Sequence, residues 1–448
     1  MAQINTLHLA VLVIGSSLIG GCYSPLALSK ADLTAQAQKE LRQEQTRAFD
    51  TLQTQGSSVT LSVEQAMQLA LETSTNIKVR QASLAFANAK ISEATQIRNP
   101  EIRYSQEKIE NGFGDDSRMD VEFRVRPPRP GELGAKKAIA QASSRSAEAS
   151  LKRERAKAKS RVRTLFREIG FVNEEIIASE KSLEKRKQLV DLASLRTTRA
   201  LGTQIDVALA QVAYHDAKQD LTELTAEFDI LNKQLLRLVG LPQDIELKLE
   251  QEALSQLKVE ELAPVAVYIE KALTNRFELD IAASRIDAAK AQTYLQKAEA
   301  WPWFSHIKVG YEMKPDNDFS GAVTGGVALE IPLFSLNGGG IEVAQTRESV
   351  RRTEYELQVE NIVAEVQQQY RQVQRAAQAL ITLRDGSKVA AEAATEAARA
   401  AMNAGQVVVQ ELALIEERSA STHRQWLRAL RRYHRELTQL FERIAPAD

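Results

Sequence analysis

The stretch DVEFRVRPPRPGELG, residues 120–134, places a strand pattern directly before an abrupt stop. Val121, Phe123 and Val125 alternate with charged residues, and alternation with period two predicts a β-strand with one apolar and one charged face. Three prolines and a glycine then end the pattern, because proline has no backbone N–H to donate to a sheet. No further proline occurs before Pro242, so the sequence predicts that the strand gives way to a very long helix.

The composition favours long helices over several compact domains. Aromatic side chains make up only 5% of the 448 residues and charged side chains 26%, a balance typical of extended helices. The net charge of −1 gives the chain no general affinity for nucleic acid or anionic lipid, so no nucleic-acid partner is expected. After the N-terminus there is no run of about 18 apolar residues, which argues against a helical membrane span.

The N-terminal segment LHLAVLVIGSSLIGGCYS, residues 7–24, resembles a bacterial secretion signal. Its Ile-Gly-Gly-Cys ending is similar to a lipobox, in which the cysteine becomes the lipid-modified first residue of the mature protein. We therefore expect residues 1–21 to be the signal peptide and Cys22, the only cysteine, to carry the lipid. The segment before the apolar run contains no Lys or Arg, and the alternative is an ordinary cleaved signal with an incidental cysteine. In both cases the rest of the chain is exported and has no cysteine pair for a disulfide.

The chain contains an internal repeat of about 200 residues. Three segments of the first half align in the same order with three of the second, at offsets of 202, 204 and 203 residues. These aligned pairs are 70–100 with 272–302, 128–141 with 332–345, and 201–209 with 404–412. Shared composition does not explain three segments at nearly one offset, so we infer a tandem duplication.

Each repeat should contain a helix that ends at a proline, two strands and a long helical hairpin. In the first repeat the first helix covers about 63–98, because a proline disfavours helix at the residue before it. The four strands are expected at about 101–110, 119–127, 305–314 and 321–332. The domain boundaries that follow are a lipidated linker at 22–60, a first repeat at 61–242, an inter-repeat linker at 243–264 and a second repeat at 265–444.

The predicted long helices carry a coiled-coil pattern, in which apolar residues recur in steps of three and four. The clearest series is Trp426, Leu430, Tyr433, Leu437, Leu440 and Ile444. Similar series occur over 165–190 and 221–238. Gly202 and Gly405 interrupt the two helical patterns, so each repeat should form an antiparallel hairpin of one helix with about 60 residues and one with about 35.

The four strands fit a membrane better than water. They are too few to close a barrel, and two isolated hairpins would be only marginally stable in water. Their length of about ten residues suits a strand that crosses a bilayer, with apolar side chains toward lipid and polar ones toward a lumen. Val121, Phe123 and Val125 should then face lipid, and Glu122, Arg124 and Arg126 should line a wet lumen. Several chains must each contribute four strands to one barrel.

Two other classes of protein share part of this pattern. One is a periplasmic coiled-coil lipoprotein that bridges components of the envelope without forming a pore. The other is a soluble helical scaffold. Both require strands that do not insert into lipid, whereas the alternating strand faces and the duplication favour a channel.

The duplicated order of helices and strands over about residues 60–444 resembles the TolC family of outer membrane efflux proteins. That resemblance implies a mainly helical fold with a small β part, in which three chains form a twelve-stranded barrel and a periplasmic helical tunnel. It further implies an outer-membrane location, a homotrimer, and a passive path for substrates from an inner-membrane pump. The residues that match the adaptor-contacting helical tips are Leu201, Gly202, Thr203, Ala404, Gly405 and Gln406.

The family often places acidic residues near the second tip, where they constrict the closed entrance. Glu411 matches one such position, whereas the next expected acid falls on Leu414. Asp206, near the first tip, is a second candidate. The lipobox and the segment GELGAKK, residues 131–137, favour the branch that works with resistance-nodulation-division pumps, including those that export heavy metals.

No other motif indicates chemistry. The five histidines form no HExxH motif and have no cysteine beside them, so no metal site is expected. Three glycines at 338–340 are not followed by the Lys and Ser or Thr of a phosphate-binding loop. We therefore expect no catalytic residue, no cofactor and no enzymatic activity.

The lipid anchor can be tested at one residue. Substitution Cys22→Ala should abolish incorporation of labelled fatty acid, because the acylated thiol would be absent. Wild-type protein expressed in parallel is the control, and labelling that persists in the variant would refute the assignment.

Overall fold

The computed structural model describes residues 29–50, 58–111, 114–200, 202–250, 259–314, 320–404, 406 and 409–444. The predicted signal peptide and Cys22 lie outside these residues. The chain divides into two units, residues 1–54 and 55–448. The first unit contains helix α1, Lys30–Asp50, and all other described helices and strands belong to the second.

The second unit contains the same order of elements twice. Its first half consists of β1 (Ser58–Leu61), α2 (Val63–Thr73), α3 (Thr75–Ala94), β2 (Glu101–Asn111), β3 (Gly114–Val125), α4 (Glu132–Thr198) and α5 (Gln204–Leu238). Its second half consists of β4 (Glu246–Leu249), α6 (Val265–Asn275), α7 (Phe277–Glu299), β5 (Trp303–Lys314), β6 (Ser320–Glu330), α8 (Gly338–Thr382), a π-helical segment (Leu383–Lys388), α9 (Val389–Asn403) and α10 (Val409–Ile444). The expected mainly helical fold with a small β part is confirmed.

Two long hairpins dominate this unit. In the first, α4 turns back into α5, and in the second the continuous run of α8, the π-helical segment and α9 turns back into α10. At 67 residues, α4 is about 100 Å long. No helix in the described part of the chain is both long and apolar enough to cross a membrane.

Apolar residues at coiled-coil spacing form the main core. The predicted series on α10 is buried throughout, and Leu430, Tyr433 and Leu440 are fully enclosed. It packs against a matching series on α8, in which Ile362, Val366, Val373, Ala376 and Leu380 are buried. Burial of these rows, rather than helix propensity alone, stabilises such long helices.

The expectation of a single helix over residues 63–98 is wrong, because α2 and α3 are separate helices. Ser74 interrupts them with an extended backbone, at a ψ angle of 114°. Arg276 interrupts α6 and α7 in the same way, with a ψ of 120°. Neither break involves a proline or glycine. The second is stabilised by tertiary contacts, since the Arg276 side chain donates hydrogen bonds to the Arg443 carbonyl and the Glu365 carboxylate, each over 2.9 Å.

Among the described residues of this unit, the strands form two sheets. Strands β1 and β4 form a small parallel pair. Strands β2, β3, β5 and β6 form one antiparallel sheet in that spatial order, so the two hairpins of the repeats lie side by side. Register between the hairpins runs from Met119 opposite Met313 to Val125 opposite Ile307.

Candidate functional site

The four-stranded sheet has one apolar face, and that face is bare. Cross-strand neighbours on it include Tyr104, Val121, Tyr311 and Val323, which lie in one row across all four strands. Val323 is 78% exposed, and Ile102 in the next row is 77% exposed. A sheet that folds in water buries such a face against a core. This one presents it outward over strands of 11 or 12 residues.

The opposite face carries paired charges. Glu122 is only 4% exposed and accepts hydrogen bonds from Arg124 on its own strand and from Lys308 on β5. Arg118 pairs with Glu312 across the same two strands over 2.7 Å. Side chains that alternate with Val121 and Phe123 therefore form a charge-paired face, opposite the apolar one.

Both edges of this sheet are open. Within the described residues, β2 and β6 each have a neighbouring strand on one side only. Each edge strand is 11 residues long. Long unpaired edges of this kind present backbone N–H and C=O groups that another chain can pair with.

Arg129 organises the passage from sheet to helix, and sequence reasoning did not single it out. Its guanidinium donates to the carbonyls of Glu299 and Trp301, each at 2.7 Å, and pairs with Glu330 at the end of β6. The carbonyl groups at the C-terminal end of α7 have no partner within the helix. The Arg129 guanidinium donates hydrogen bonds to them, and its positive charge is favourable at the negative end of the helix dipole. Arg129 is a single basic residue among prolines. It belongs to no periodic pattern, so no pattern in the sequence indicated its role.

The second joint uses different residues for the same task. Asn337 precedes α8 in the left-handed conformation, at a φ of 54°, and its amide donates to the Gln296 carbonyl over 2.9 Å. Near the first joint, the Trp303 indole at the start of β5 donates to the Pro127 carbonyl over 3.0 Å. The pair of Arg129 with Glu330 connects that joint to the end of β6, where the second joint begins. The strand-to-helix turns expected at the prolines and glycines therefore lie next to each other.

The first helical tip is closed by a capping box. Thr203 Oγ1 accepts from the Asp206 backbone N–H, and the Asp206 carboxylate accepts from the Thr203 backbone N–H over 2.9 Å. The hydrogen bonds that the Asp206 carboxylate accepts from the backbone N–H and the hydroxyl of Thr203 lower the pKa of that carboxyl. The residue expected to constrict an entrance therefore has a local structural role, at the start of α5. Gly202 lies beside it, and Leu201 falls outside the described residues.

The second tip is described only in part. Ala404 ends its helix, the Gln406 N–H donates to the Ala401 carbonyl over 2.9 Å, and Gly405 lies outside the described residues. Glu411 is exposed in the first turn of α10, and Leu414 is exposed one turn later.

An exposed apolar row extends from the first tip along α5. Ile205, Leu209 and Val212 follow in steps of four and three, so they share one helix face. They are 69%, 64% and 58% exposed, respectively.

A row of arginines joins the two hairpins, and the sequence analysis missed it. Arg424, Arg428, Arg431 and Arg435 occupy one stripe of α10, beside the apolar series. Arg431 pairs with Glu227 of α5, and Arg435 with Glu168 of α4. Between them Glu175 of α4 is only 2% exposed, and burial raises its pKa although Arg428 and Arg431 lie close to it. The signal that could have found the row was its spacing of four, three and four residues.

Two histidines of α10, His423 and His434, pack against aromatic rings. His434 stacks on Phe171 with ring centroids 5.7 Å apart, and burial lowers its pKa to about 4, which keeps it neutral. His423 stacks on Trp426. The described residues contain no cluster of His, Cys, Asp or Glu that could hold a metal ion.

Comparison with known proteins agrees with this architecture. Residues 268–444 match the family model of outer membrane efflux proteins, and no curated protein sequence matches the chain. Among solved structures, the transmembrane channel CusC is 15% identical, with a TM-score of 0.69 over 86% of this chain and 92% of that one. The chain has the TolC-like fold of outer membrane efflux proteins.

Two further structures show the same fold at similar distance. The outer membrane protein VceC from Vibrio cholerae is 16% identical, with a TM-score of 0.66 over 85% of this chain and 95% of that one. The open outer membrane channel MtrE from Neisseria gonorrhoeae is 15% identical, with a TM-score of 0.66 over 85% of this chain and 88% of that one. The resemblance inferred from the duplicated architecture is confirmed.

The capping box predicts a local dependence on pH. Because the folded pKa of Asp206 lies below its ordinary value, its contribution is present above that value and is lost as the pH falls through the folded pKa. Amide hydrogen exchange at the start of α5, corrected for intrinsic rates, should therefore accelerate as the pH falls below 3.8, the ordinary pKa of the aspartate side chain. Asp206→Asn, which cannot ionise, should show no such change, and equal pH dependence in both proteins would contradict this role.

Proposed function

We propose that the protein is the outer-membrane channel of a tripartite efflux system. The observation that carries this proposal is the four-stranded sheet, which has an exposed apolar face, a charge-paired polar face and two open edges. In a bilayer the apolar face would contact lipid, and the polar face would line water. Neither rival class, the coiled-coil lipoprotein or the soluble scaffold, explains why a sheet should expose its apolar face.

Backbone hydrogen bonding requires more than one chain. An open edge in the hydrocarbon core leaves N–H and C=O groups unsatisfied, so membrane sheets close into barrels. Strand β6 of one copy would pair with β2 of the next, because these are the two free edges. Three copies give twelve strands, more than the roughly eight at which side chains fill a barrel. A homotrimer therefore leaves a pore.

The inner surface of such a barrel suits passive passage. On the polar face of β6 the residues are small: Ala322, Thr324, Gly326 and Ala328. Longer side chains of β2 from the next copy, such as Arg103, can lie over them. Paired charges, as between Glu122 and its two cationic neighbours, present both signs to the lumen. Substrate choice would then belong to the pump.

The helical hairpins extend the conduit into the periplasm. They begin at the strand-to-helix joints and, in α4, reach about 100 Å, ending at the tips near Gly202 and Gln406. An adaptor protein would dock at these tips, and the exposed apolar row on α5 supplies a contact for it. An inner-membrane pump, of the resistance-nodulation-division type, would supply substrate through that adaptor. Cys22 would add a lipid anchor in the outer membrane, and no catalytic step is needed.

The channel function is testable with purified protein. It should be a trimer in detergent, as measured by light scattering corrected for bound detergent, and should conduct ions in a planar bilayer. Substitution Val323→Lys should reduce insertion, because a cation on the lipid face costs about 2–4 kcal/mol near the bilayer midplane. Thr324→Lys, on the neighbouring polar-face position, should still insert and conduct. A water-soluble monomer, or equal loss in both variants, would overturn the proposal.

Entrance gating can be tested at Glu411. If its carboxylate helps close the periplasmic end, Glu411→Ala should raise the single-channel conductance of the resting channel, because the constriction loses a charge and volume. Glu356→Ala, an exposed acid far from the tip on α8, is the matched control. Unchanged conductance in the Glu411 variant would remove this residue from the entrance.

A further inference from the structure

A groove lies between α4 and α7, next to the end of the four-stranded sheet. It encloses about 690 Å³, which is within the range of roughly 300–1,000 Å³ that small-molecule sites occupy. At the sheet end it is lined by Pro130 and Trp303, and at its other end by Ala138 and Ala291. The groove therefore belongs to the joint between sheet and helices.

The sides of the groove are aromatic and its base is made of small residues. Tyr294 on α7 and Trp301 just after that helix are 69% and 71% exposed. A Cβ atom added at Gly134 would meet no atom within 4 Å, so the space beside this glycine is open. Large aromatic surfaces beside open apolar space mark a site for a ligand or a membrane. The small lining residues are Gly131, Gly134, Ala135, Ala138, Ala291 and Ala298.

One charged side chain lines the groove among the described residues, and it is a cation. Lys297 is exposed on α7, and within the described part of the chain it forms no ion pair. A lysine beside exposed Trp and Tyr side chains is typical of protein surfaces at the level of the lipid head groups. The groove is therefore suited to an amphiphile with an anionic head and an apolar tail.

The other repeat has none of these three side chains. At the offset of 202 residues, small polar residues replace Tyr294, Lys297 and Trp301. Both repeats nevertheless form the same turn from helix to strand at an aligned proline. The turn itself therefore does not require aromatic rings or a cation at these positions. The three repeat mates are Ser92, Thr95 and Asn99.

The polarity of α7 indicates which side of the channel wall the groove faces. Near its end the helix presents Gln292 and Glu299 on the surface opposite Tyr294 and Trp301. The adjoining sheet is divided in the same way, with an apolar face and a charge-paired face. In the proposed channel the polar surfaces line water, so the groove opens toward lipid.

We propose that this groove binds one anionic phospholipid of the periplasmic leaflet of the outer membrane. The lipid phosphate would lie beside Lys297 and the Tyr294 hydroxyl, and the acyl chains would pass Trp301 toward the apolar face of the sheet. The small residues at the base let the glycerol and the first methylene groups lie close to both helices. This site rests on the proposed channel function, because the outer membrane supplies the lipid.

Tryptophan fluorescence can report on occupancy of the groove. The protein is reconstituted in phosphatidylethanolamine vesicles that contain phosphatidylglycerol brominated on its acyl chains. Quenching of Trp301, obtained in each background as the difference from its Trp301→Phe form, should be strong. Gly134→Leu fills the groove and should reduce this quenching severalfold. Ser143→Leu adds the same side chain to the opposite surface of α4 and should leave the quenching unchanged.

The preference for an anionic head group is tested at Lys297. At equal mole fraction, brominated phosphatidylglycerol should quench Trp301 more than brominated phosphatidylcholine does. Lys297→Gln should abolish this preference. Lys290→Gln, at an exposed lysine two helical turns away on the same surface, should keep it. An equal preference in the wild type and Lys297→Gln would overturn the assignment of the phosphate to Lys297.

Conductance of the same preparation separates this site from the channel function. A conducting trimer in which Gly134→Leu leaves the quenching of Trp301 unchanged would overturn the lipid site and leave the channel intact, because Trp301 would then only touch the bilayer. Quenching of Trp301 by aqueous iodide, without quenching by brominated lipid, would assign the groove to the water side and also overturn the site. A water-soluble monomer would overturn both proposals.

Discussion

Backbone hydrogen bonding at the edges of the four-stranded sheet is the constraint on which the rest of the structure depends. Strands β2 and β6 each leave a row of N–H and C=O groups without a neighbouring strand in the described chain. The apolar face between them suits lipid, and lipid offers no replacement hydrogen bonds. The sheet is therefore only a fraction of a closed structure. The long helices are therefore also only part of a closed structure, because the hydrogen bonds of Arg129 and Asn337 fix the starts of α4 and α8 relative to the strands.

Much of this architecture was readable from the sequence because it is periodic. Alternation in residues 120–125 indicated the strand faces, and the 3/4 series ending at Ile444 indicated a row that is buried throughout. Because the chain is duplicated, the order of helices and strands in one half predicted the order in the other half. Prolines and glycines located the joints, because proline cannot donate to a continuing sheet or helix and glycine can adopt turn conformations that other residues avoid.

The features that escaped prediction depend on contacts between distant segments. Nothing near Arg276 marks a helix break, which is stabilised by Arg443 and Glu365. The hydrogen bonds of Arg129 reach residues about 170 and 201 positions away. Asp206 looked like an entrance acid from its position alone, and its capping role became visible only with the tip geometry. The arginine row of α10 was periodic, yet its acidic counterparts lie on two other helices.

The open edges of the sheet also have a genetic consequence. In the proposed ring every chain both receives a strand at β2 and offers one at β6. A chain with one damaged edge would still engage a healthy neighbour through the other, and would leave that ring unclosed. When damaged and intact copies are produced together in equal amounts, most rings would contain at least one damaged member. Alleles that disrupt one edge should therefore be dominant over the wild type, whereas alleles that prevent folding of the chain should be recessive.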